Sequence, residues 1–292
     1  VVGIGSGATA GALTQFPMRS IRVVEVEEAM VQAATYFSDI NHDLLDNPRV
    51  QVSINHARND LAFSANTFDV IVSEPSNPWM TVAANLFTEE FFRLARQRLR
   101  PDGVFAQWLQ TYNLGPEDVR SVLAAFRASY PYVLVFRSFD GHDLVVTGSG
   151  RPLRFDLPRL GEAMRKMTGQ DLPRMMINQA GDVIGYFLFG DRELAALVAG
   201  APRNTDDSAR LEFSAPLRLR MKSGATREML ERSRGNPWDY LVAPPDPADE
   251  QAVGEAIARA FLRRGDPKNA ERFGRPPARP HSVEGVRALD RP

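Results

Sequence analysis

The sequence contains no cysteine, which excludes disulfides, thiolate metal ligands and a cysteine nucleophile. Histidine is scarce: His42, His56, His142 and His281 are too scattered to form a metal site, so we expect no bound metal. No apolar run reaches the roughly 18 residues that a membrane-spanning helix needs. The formal net charge is -1, so neither nucleic acid nor an anionic membrane is an expected partner.

The chain also lacks the start that is typical of a complete protein. It opens on Val1-Val2-Gly3, which we interpret as the last residues of a strand whose beginning lies upstream. No basic stretch followed by an apolar segment is found there, so no signal peptide is predicted. We therefore expect a fragment of a longer cytoplasmic protein, or the cytoplasmic domain of a membrane protein whose membrane segment lies upstream.

What the first half of the chain does contain is an alternation of short β-branched runs and amphipathic stretches. Strands are predicted at Val1–Val2, Ile21–Val26, Val50–Ile54, Phe68–Ser73, Gly103–Leu109, Tyr132–Arg137 and Leu144–Thr147. Helices are predicted at Ala8–Phe16, Glu28–Phe37, Thr88–Leu99 and Pro116–Ser129. This alternation indicates an α/β fold in which helices cover both faces of a parallel sheet. The tight turn between the last two strands predicts an antiparallel hairpin at the edge of the sheet.

Changes in composition predict four regions along the chain. Residues 1–149 form the Rossmann-like nucleoside-binding domain, and residues 150–243 form a helical and irregular extension that completes it. Residues 244–273 are predicted to form a helical hairpin that is similar to part of a tetratricopeptide repeat. The Pro- and Arg-rich residues 274–292 are predicted to be a disordered tail.

A glycine-rich loop predicts the first binding site. Gly3, Gly5, Ser6 and Gly7 lie between a strand and a helix, where glycines let the backbone turn sharply and approach a ligand. Glu25 ends the next strand, where a carboxylate can accept hydrogen bonds from both ribose hydroxyls. The Gly-x-Gly-x-Gly spacing favours a ligand without a pyrophosphate, such as S-adenosylmethionine.

The end of the fourth strand predicts a catalytic group. Glu74 is followed by a loop in which two prolines restrict the backbone, and ligands of open parallel sheets bind at the carboxyl ends of strands. Glu74 can accept a proton from an attacking amine or bind a cationic substrate. Asn77 and Trp79 belong to the same loop and are candidates for substrate binding.

Further candidates border the same crevice. His56 and Ala57 follow the third strand, in the loop that faces the adenine base in this type of fold. Gln107 lies near the end of the fifth strand and is a candidate for substrate binding. Asp206 and Asp207 form an acidic pair that suits a polyamine, although the same residues are also typical of a simple chain turn.

Six stretches of the chain resemble the spermidine/spermine synthase family, the polyamine aminopropyltransferases. They are VVGIGSGATAGAL, VVEVEEAMVQAA, DNPRVQVSINHAR, FDVIVSEPSNPWM, NLFTEEFFRLARQRLRPDGVFAQWLQTY and NTDDSARLEFSAP. They occur in family order up to Pro216. Within the family, the chain is most similar to bacterial spermidine-synthase-like proteins that are often fused to membrane transporter-like segments.

The resemblance implies a Rossmann-like methyltransferase fold with a mostly parallel seven-stranded sheet. It implies decarboxylated S-adenosylmethionine as the aminopropyl donor and a polyamine such as putrescine as the acceptor, with no metal. Glu74 matches the family's proton-accepting carboxylate, and Glu25 matches its ribose-binding acid. Relatives are commonly homodimers, so a homodimer is an expectation here too.

The chain departs from the family pattern at three acidic positions. Ser6, His56 and Asn77 stand where relatives carry Asp. Two other hypotheses therefore remain open beside aminopropyl transfer. One is a methyltransferase that uses intact S-adenosylmethionine, and the other is a non-catalytic nucleoside-binding module.

Overall fold

The computed structural model describes residues 1–78, 80–138, 140–167, 171–217, 224–242 and 247–275. The strands in this part of the chain are β1 (Ile21–Glu25), β2 (Val50–Ile54), β3 (Phe68–Ser73), β4 (Leu99–Gln110), β5 (Tyr132–Arg137), β6 (Asp143–Ser149) and β7 (Phe187–Gly190). The first seven helices are α1 (Ala8–Thr14), α2 (Glu28–Ala34), α3 (Ser38–Asn41), α4 (Ala57–Phe63), α5 (Thr81–Ala84), α6 (Glu89–Gln97) and α7 (Pro116–Ser129). The remaining helices are α8 (Leu157–Arg165), α9 (Asp171–Arg174), α10 (Asp191–Leu197), α11 (Arg210–Leu217), α12 (Gly224–Arg232), α13 (Pro247–Arg263) and α14 (Pro267–Phe273).

The amino-terminal segment joins the strands into one sheet. Val2 forms parallel bridges with Val24 of β1 on one side and with Ser73 of β3 on the other. Backbone hydrogen bonds from Val2 N to Val72 O at 2.8 Å and from Gly3 N to Val24 O at 2.9 Å hold it in place. The order across the sheet is therefore β2, β1, Val2, β3, β4, β6, β5 and β7.

The half of the sheet that contains the predicted site is parallel, which confirms the predicted Rossmann-like α/β fold. β1 pairs with β2, and β3 with β4, in parallel registers. Beyond β4 the sheet is antiparallel, because β6 pairs with both β4 and β5. The carboxyl ends of β1, β3 and β4 consequently lie along one edge, next to the loop that follows Val2.

The predicted edge hairpin forms, but it is not the edge of the sheet. β5 and β6 pair as predicted, and β7 then adds to the outer side of β5. All four residues of β7 are buried, so this strand shows no alternation of apolar and polar positions. Four uniformly apolar residues carry no periodic signal, and for that reason the sequence did not predict the strand.

An aromatic cluster forms the centre of the main core, between the sheet and helices α6 and α7. Phe91 and Phe92 of α6 are fully buried against Phe105 of β4. Phe105 stacks on Tyr130 with ring centroids 5.4 Å apart, and Phe126 lies edge-on to Phe92 at 5.1 Å. Burying such large rings supplies much of the hydrophobic stabilisation of the domain.

Helices α1 and α3 pack around a separate, smaller core. It contains Ile4, Ala10, Val23, Ala34 and Leu44, all of which are buried. This core fixes the helix that follows the glycine loop against the end of β1, and so it positions the predicted nucleoside site.

The carboxy-terminal helices α13 and α14 pack against each other and on a third core. Ile257, Phe261 and Phe273 of these helices meet Phe187 of β7 in one cluster. The predicted division into four regions stays a prediction. Residues 243–246 and 276–292, in the predicted linker and tail, lie outside the described residues. Within the described ranges, no helix is long and apolar enough to cross a membrane.

We expect Phe105→Ala to lower the free energy of unfolding by about 3–5 kcal/mol, because it leaves a cavity at the centre of the aromatic cluster. Urea unfolding followed by circular dichroism measures the change. Phe63→Ala is the matched control, since Phe63 on α4 is 88% exposed and its removal should change the stability by less than about 0.5 kcal/mol. Equal losses in the two variants would contradict the assignment of this cluster as the main core.

Candidate functional site

The candidate site lies where the carboxyl ends of the parallel strands meet the glycine loop. Gly3 to Gly7 follow Val2 in the middle of the sheet, Glu25 ends β1, and Glu74 follows β3. Open parallel sheets bind ligands in the crevice at this edge. The fold thus brings together the glycine loop, Glu25 and Glu74, which the sequence places far apart.

The three glycines of the loop all have left-handed backbone conformations. Their φ angles are +83° at Gly3, +51° at Gly5 and +83° at Gly7. Residues other than glycine rarely adopt this backbone conformation. A Cβ on Gly7 would lie 2.3 Å from Leu44 Cδ2, whereas a Cβ on Gly5 would have no described atom within 4 Å. Gly7 therefore serves close packing, and Gly5 leaves the loop open towards the crevice.

Glu25 holds the glycine loop against the end of β1. Its side chain is only 8% exposed, and its Oε2 accepts a hydrogen bond from Ile4 N at 2.8 Å. Oε1 accepts from Val26 N at 2.8 Å and from Glu27 N at 3.0 Å. A carboxylate offers about four acceptor positions, so one remains for a ribose hydroxyl. The residue predicted to bind ribose also shapes the loop.

Asn41 stabilises the same loop through hydrogen bonds to the backbone, a role that the sequence did not predict. Its side chain is 2% exposed, and its Nδ2 donates to Ser6 O at 2.9 Å and to Ala34 O at 2.8 Å. Helix α1 approaches so closely that a Cβ on Gly11 would lie 2.1 Å from Asn41 O. Gly7 and Gly11 are one helical turn apart, and this spacing could have predicted a close packing contact. The spacing does not show that the contacting residue is Asn41.

Glu74 lies next to the first turn of helix α1. Its side chain is exposed, and its carboxylate accepts a hydrogen bond from the hydroxyl of Thr9. Its backbone N–H donates to Val2 O at 3.2 Å, which fixes the residue beside the start of the glycine loop. The predicted proton acceptor and the predicted nucleoside loop are therefore direct neighbours.

A hydrogen bond connects the loop after Glu74 with the end of β4. The Tyr112 hydroxyl donates to Asn77 Oδ1 at 3.4 Å. Burial raises the pKa of the Tyr112 phenol, and the negative charges of Asp143 and Asp140 raise it further. The tyrosine thus stays protonated over the physiological range and can act as a hydrogen-bond donor. Trp79, the other predicted substrate contact, lies outside the described residues.

Gln107 lies inside the protein. Its side chain is 1% exposed, and its Nε2 donates to the backbone O of Trp108 at 2.9 Å. It follows Phe105 by two positions on β4 and so shares a sheet face with that core residue. The predicted role in substrate binding stays a prediction, and the structure shows a buried side chain that bonds the backbone.

His56 and Ala57 follow β2, and their predicted contacts with the adenine base stay a prediction. His56 caps helix α4, since its Nδ1 accepts from Arg58 N at 3.3 Å, while Ala57 is buried in the main core. Arg58 binds both carboxylate oxygens of Asp206, with Nη1–Oδ1 2.7 Å and Nη2–Oδ2 2.5 Å. These bonds lower the pKa of the Asp206 carboxyl. Asp206 therefore forms an ion pair with Arg58, whereas no such ion pair is found for Asp207 among the described residues. Asp207 is exposed.

A cleft of about 690 Å³ lies at the amino ends of β1 and β3, away from Glu25 and Glu74. Of the predicted site residues only Ala57 borders it. Among the described residues, no group of three or more His, Cys, Asp or Glu side chains could hold a metal ion.

Comparison with known proteins shows which family the amino-terminal half resembles. The family model of the spermine/spermidine synthase domain matches residues 1–139. Residues 1–139, slightly less than half of the chain, are thus similar to a spermine/spermidine synthase domain. The matched residues include the Gly3–Gly7 loop, Glu25 and Glu74, whose roles stay predictions.

Curated relatives match slightly less than half of the chain. The chain is 30% identical over 151 residues to a polyamine aminopropyltransferase from Synechococcus sp., covering 48% of this chain and 48% of the relative. It is 29% identical over 129 residues to the enzyme of that name from Nitrosomonas europaea, covering 44% of this chain and 39% of the relative. The chain therefore spans about half the length of the curated relatives it matches.

A solved spermidine synthase in complex with the transition-state analogue AdoDATO has the same fold. The two structures superpose with a TM-score of 0.52 at 17% sequence identity, over 68% of each chain. At this identity the likeness shows the fold alone.

We expect Gly7→Ala to destabilise the amino-terminal domain more than Gly5→Ala does. Both variants place a side chain in a left-handed conformation, which costs about 1–2 kcal/mol. Only the Cβ on Gly7 also meets Leu44 and Asn41, and such overpacking costs about 1–3 kcal/mol more. Urea midpoints of the two variants measure the difference. A Gly5→Ala midpoint equal to or below that of Gly7→Ala would contradict the open position of Gly5.

Proposed function

We propose that the protein transfers an aminopropyl group from decarboxylated S-adenosylmethionine to a polyamine such as putrescine. The observation that carries this proposal is the hydrogen bond between Thr9 and Glu74. It places a carboxylate that can accept a proton next to the helix that leaves the glycine loop. Nucleoside binding and proton transfer from an amine can therefore occur side by side.

The glycine loop and Glu25 suit the adenosine end of the donor. The open side of Gly5 lets a ligand approach the backbone, and the last acceptor position of Glu25 suits a ribose hydroxyl. Ser6 stands where relatives carry an acid for the donor's amine, and its Oγ bonds Ala8 N at 3.4 Å. The hydroxyl can offer a neutral hydrogen bond to that amine but no charge.

Glu74 supplies the base of the proposed reaction. A neutral amine of the acceptor attacks the methylene carbon next to the sulfonium, a carbon–nitrogen bond forms, and the carbon–sulfur bond breaks. The bonding electrons pass to sulfur, which leaves as a neutral thioether, and the surplus proton of the amine passes to Glu74. The sulfonium is already a good leaving group, so holding the reactants in line provides much of the acceleration.

The comparisons support the proposal at the level of the reaction. The curated relatives carry the name polyamine aminopropyltransferase, and the structural relative was solved with AdoDATO. Ser6, His56 and Asn77 are the positions at which this chain has fewer negative charges than the family pattern. Fewer charges weaken the attraction for cationic substrates, so the affinities for both substrates are the property to measure.

Glu25→Gln should weaken the binding of methylthioadenosine about ten- to a hundredfold, because a charge-assisted bond to the ribose is lost. Isothermal titration calorimetry measures the dissociation constant. The exposed neighbour Glu28 provides the matched control, and Glu28→Gln should bind with unchanged affinity.

The same calorimetry separates the donors. Decarboxylated S-adenosylmethionine should bind more tightly than S-adenosylmethionine if the protein is an aminopropyltransferase. Tighter binding of S-adenosylmethionine would instead favour a methyltransferase. Failure of all three nucleosides to bind would refute the proposed site.

Glu74→Gln should lower kcat for aminopropyl transfer about 10²- to 10⁴-fold, the usual range for losing a general base. The dissociation constant for methylthioadenosine should stay within about twofold, because Glu74 lies beside the nucleoside loop and not within it. Chromatography of the polyamine product measures the rate. If Glu74→Gln turned over at the wild-type rate, Glu74 would not be the base. A wild-type protein that binds nucleosides without turnover would favour a binding module.

A further inference from the structure

Four arginine side chains from distant parts of the chain converge beside the turn that joins β5 to β6. Arg137 ends β5, Arg227 lies on α12, Arg234 follows α12 and Arg264 follows α13. The other three guanidinium groups all interact electrostatically with that of Arg137. Because β6 separates β5 from β4 in the sheet, this arginine cluster lies beyond the strands that carry the candidate site.

The carboxylates beside the arginine cluster do not balance its charge. Glu231 on α12 and Asp266, between α13 and α14, both act on Arg137. Asp266 also caps α14, because its carboxylate accepts hydrogen bonds from Asn269 N at 3.1 Å and Asn269 Nδ2 at 2.7 Å. Two carboxylates against four guanidinium groups leave two positive charges in excess. The carboxylate of Asp140, on the turn itself, reduces this excess without cancelling it.

Arg234 and Arg264 are held by contacts within the protein. The Arg234 side chain is 4% exposed, and its Nε and Nη2 each bond Glu231 at 3.0 Å, while its Nη1 donates to a backbone carbonyl of β7 at 2.9 Å. Arg264 Nη2 donates to Ser138 O at 2.7 Å, and its guanidinium lies 3.9 Å from the ring centroid of Tyr186. These two arginines therefore form the fixed part of the cluster.

Arg137 and Arg227 keep hydrogen-bond donors available. Arg137 Nη1 bonds Glu231, but its Nε is buried without a partner among the described residues. Arg227 is exposed, and its Nη2 lies 3.5 Å from Asp140 O, at the upper limit for a hydrogen bond. Burial lowers the pKa of the Arg137 guanidinium, Glu231 opposes this effect, and the like charges of Arg234 and Arg227 lower the pKa further. An additional negative charge at this position would therefore stabilise Arg137.

Gly141 leaves space between these two guanidinium groups. It adopts a φ of +77° in the turn, and a Cβ there would lie 2.5 Å from Arg227 Nη2 and 3.6 Å from Arg137 Nε. Since both nitrogens are this close to one point, they lie no more than about 6 Å apart. Charge-assisted N–H···O bonds to an anion measure about 2.7–2.9 Å, so both nitrogens can reach the oxygens of one tetrahedral anion.

We propose that Arg137 and Arg227 bind a phosphate-type oxyanion over Gly141, either inorganic phosphate or the phosphate group of a small ester. A phosphate group carries about −1.5 to −2 charges at pH 7, which is close to the excess positive charge of the cluster. The planar guanidinium group also suits phosphate geometry better than an ammonium does. The site shares no residue with the nucleoside loop or Glu74, so it does not depend on the proposed aminopropyl transfer.

Arg227→Gln tests the oxyanion site by removing a charge that the fold does not need. Its dissociation constant for inorganic phosphate, measured by isothermal titration calorimetry at constant ionic strength, should rise about ten- to a hundredfold with the loss of a charge-assisted hydrogen bond. Arg232→Gln is the matched control, because Arg232 lies on the same helix with its side chain 78% exposed and paired with Glu228. The control should bind phosphate as wild type does. An equal loss in both variants would show a general effect of charge and would overturn the site.

Gly141→Ala tests the position of the anion. Its methyl group would enter the space between Arg137 and Arg227, so phosphate should bind about tenfold more weakly. Gly200→Ala is the control for backbone strain, since Gly200 has a similar φ of +71° and a Cβ there would have no described atom within 4 Å. Both variants should lower the urea midpoint, but only Gly141→Ala should weaken phosphate binding. Unchanged phosphate affinity in Gly141→Ala would overturn the placement over Gly141.

Titrations with two ligands separate the sources of the phosphate group. Inorganic phosphate and glycerol 3-phosphate are each titrated into wild type and Arg227→Gln. Tighter binding of either ligand by wild type, with a loss of affinity in the variant, supports the site and shows which form it prefers. A wild-type protein that binds neither ligand overturns the site. No substrate of aminopropyl transfer enters these titrations, so a failure of the proposed function would leave their outcome unchanged.

Discussion

The hydrogen bond from Ile4 N–H to the carboxylate of Glu25 is the contact on which the candidate site depends. It ties the glycine loop to the end of β1, and the two other backbone N–H groups on the same carboxylate fix the turn after that strand. The loop can therefore keep three left-handed glycines in place. The same buried anion leaves one acceptor position towards the crevice, so structure and ligand binding share a single side chain.

The central position of Val2 determines what else can reach that crevice. Val2 pairs with β1 and β3 at once, so the loop that follows it opens between the residues that end both strands. Glu74 comes to lie against the first turn of α1 for this reason. On the far side of β4 the sheet becomes antiparallel, which turns the start of β6 towards the same edge and adds Asp143 to it.

Two of the candidate site residues make contacts within the protein. Asp206 is held by a bidentate bond to Arg58, and His56 caps a helix. Both residues thus stabilise the loop after β2. Glu74 follows β3 and Asp143 begins β6, so both carboxylates lie at the same edge of the sheet.

The sequence by itself determined the α/β class, the strands of the parallel half, the glycine loop and the strand-end acids. These features depend on local conformation and short-range periodicity, which single residues such as Gly5 and Glu25 display directly. Only the tertiary structure decided that Asn41 braces the loop, that Arg58 clamps Asp206, that β7 completes the sheet, and that Gln110 faces Asp143. Each of these contacts joins groups that are distant along the chain, and strand order and antiparallel register set them through packing that no local pattern encodes.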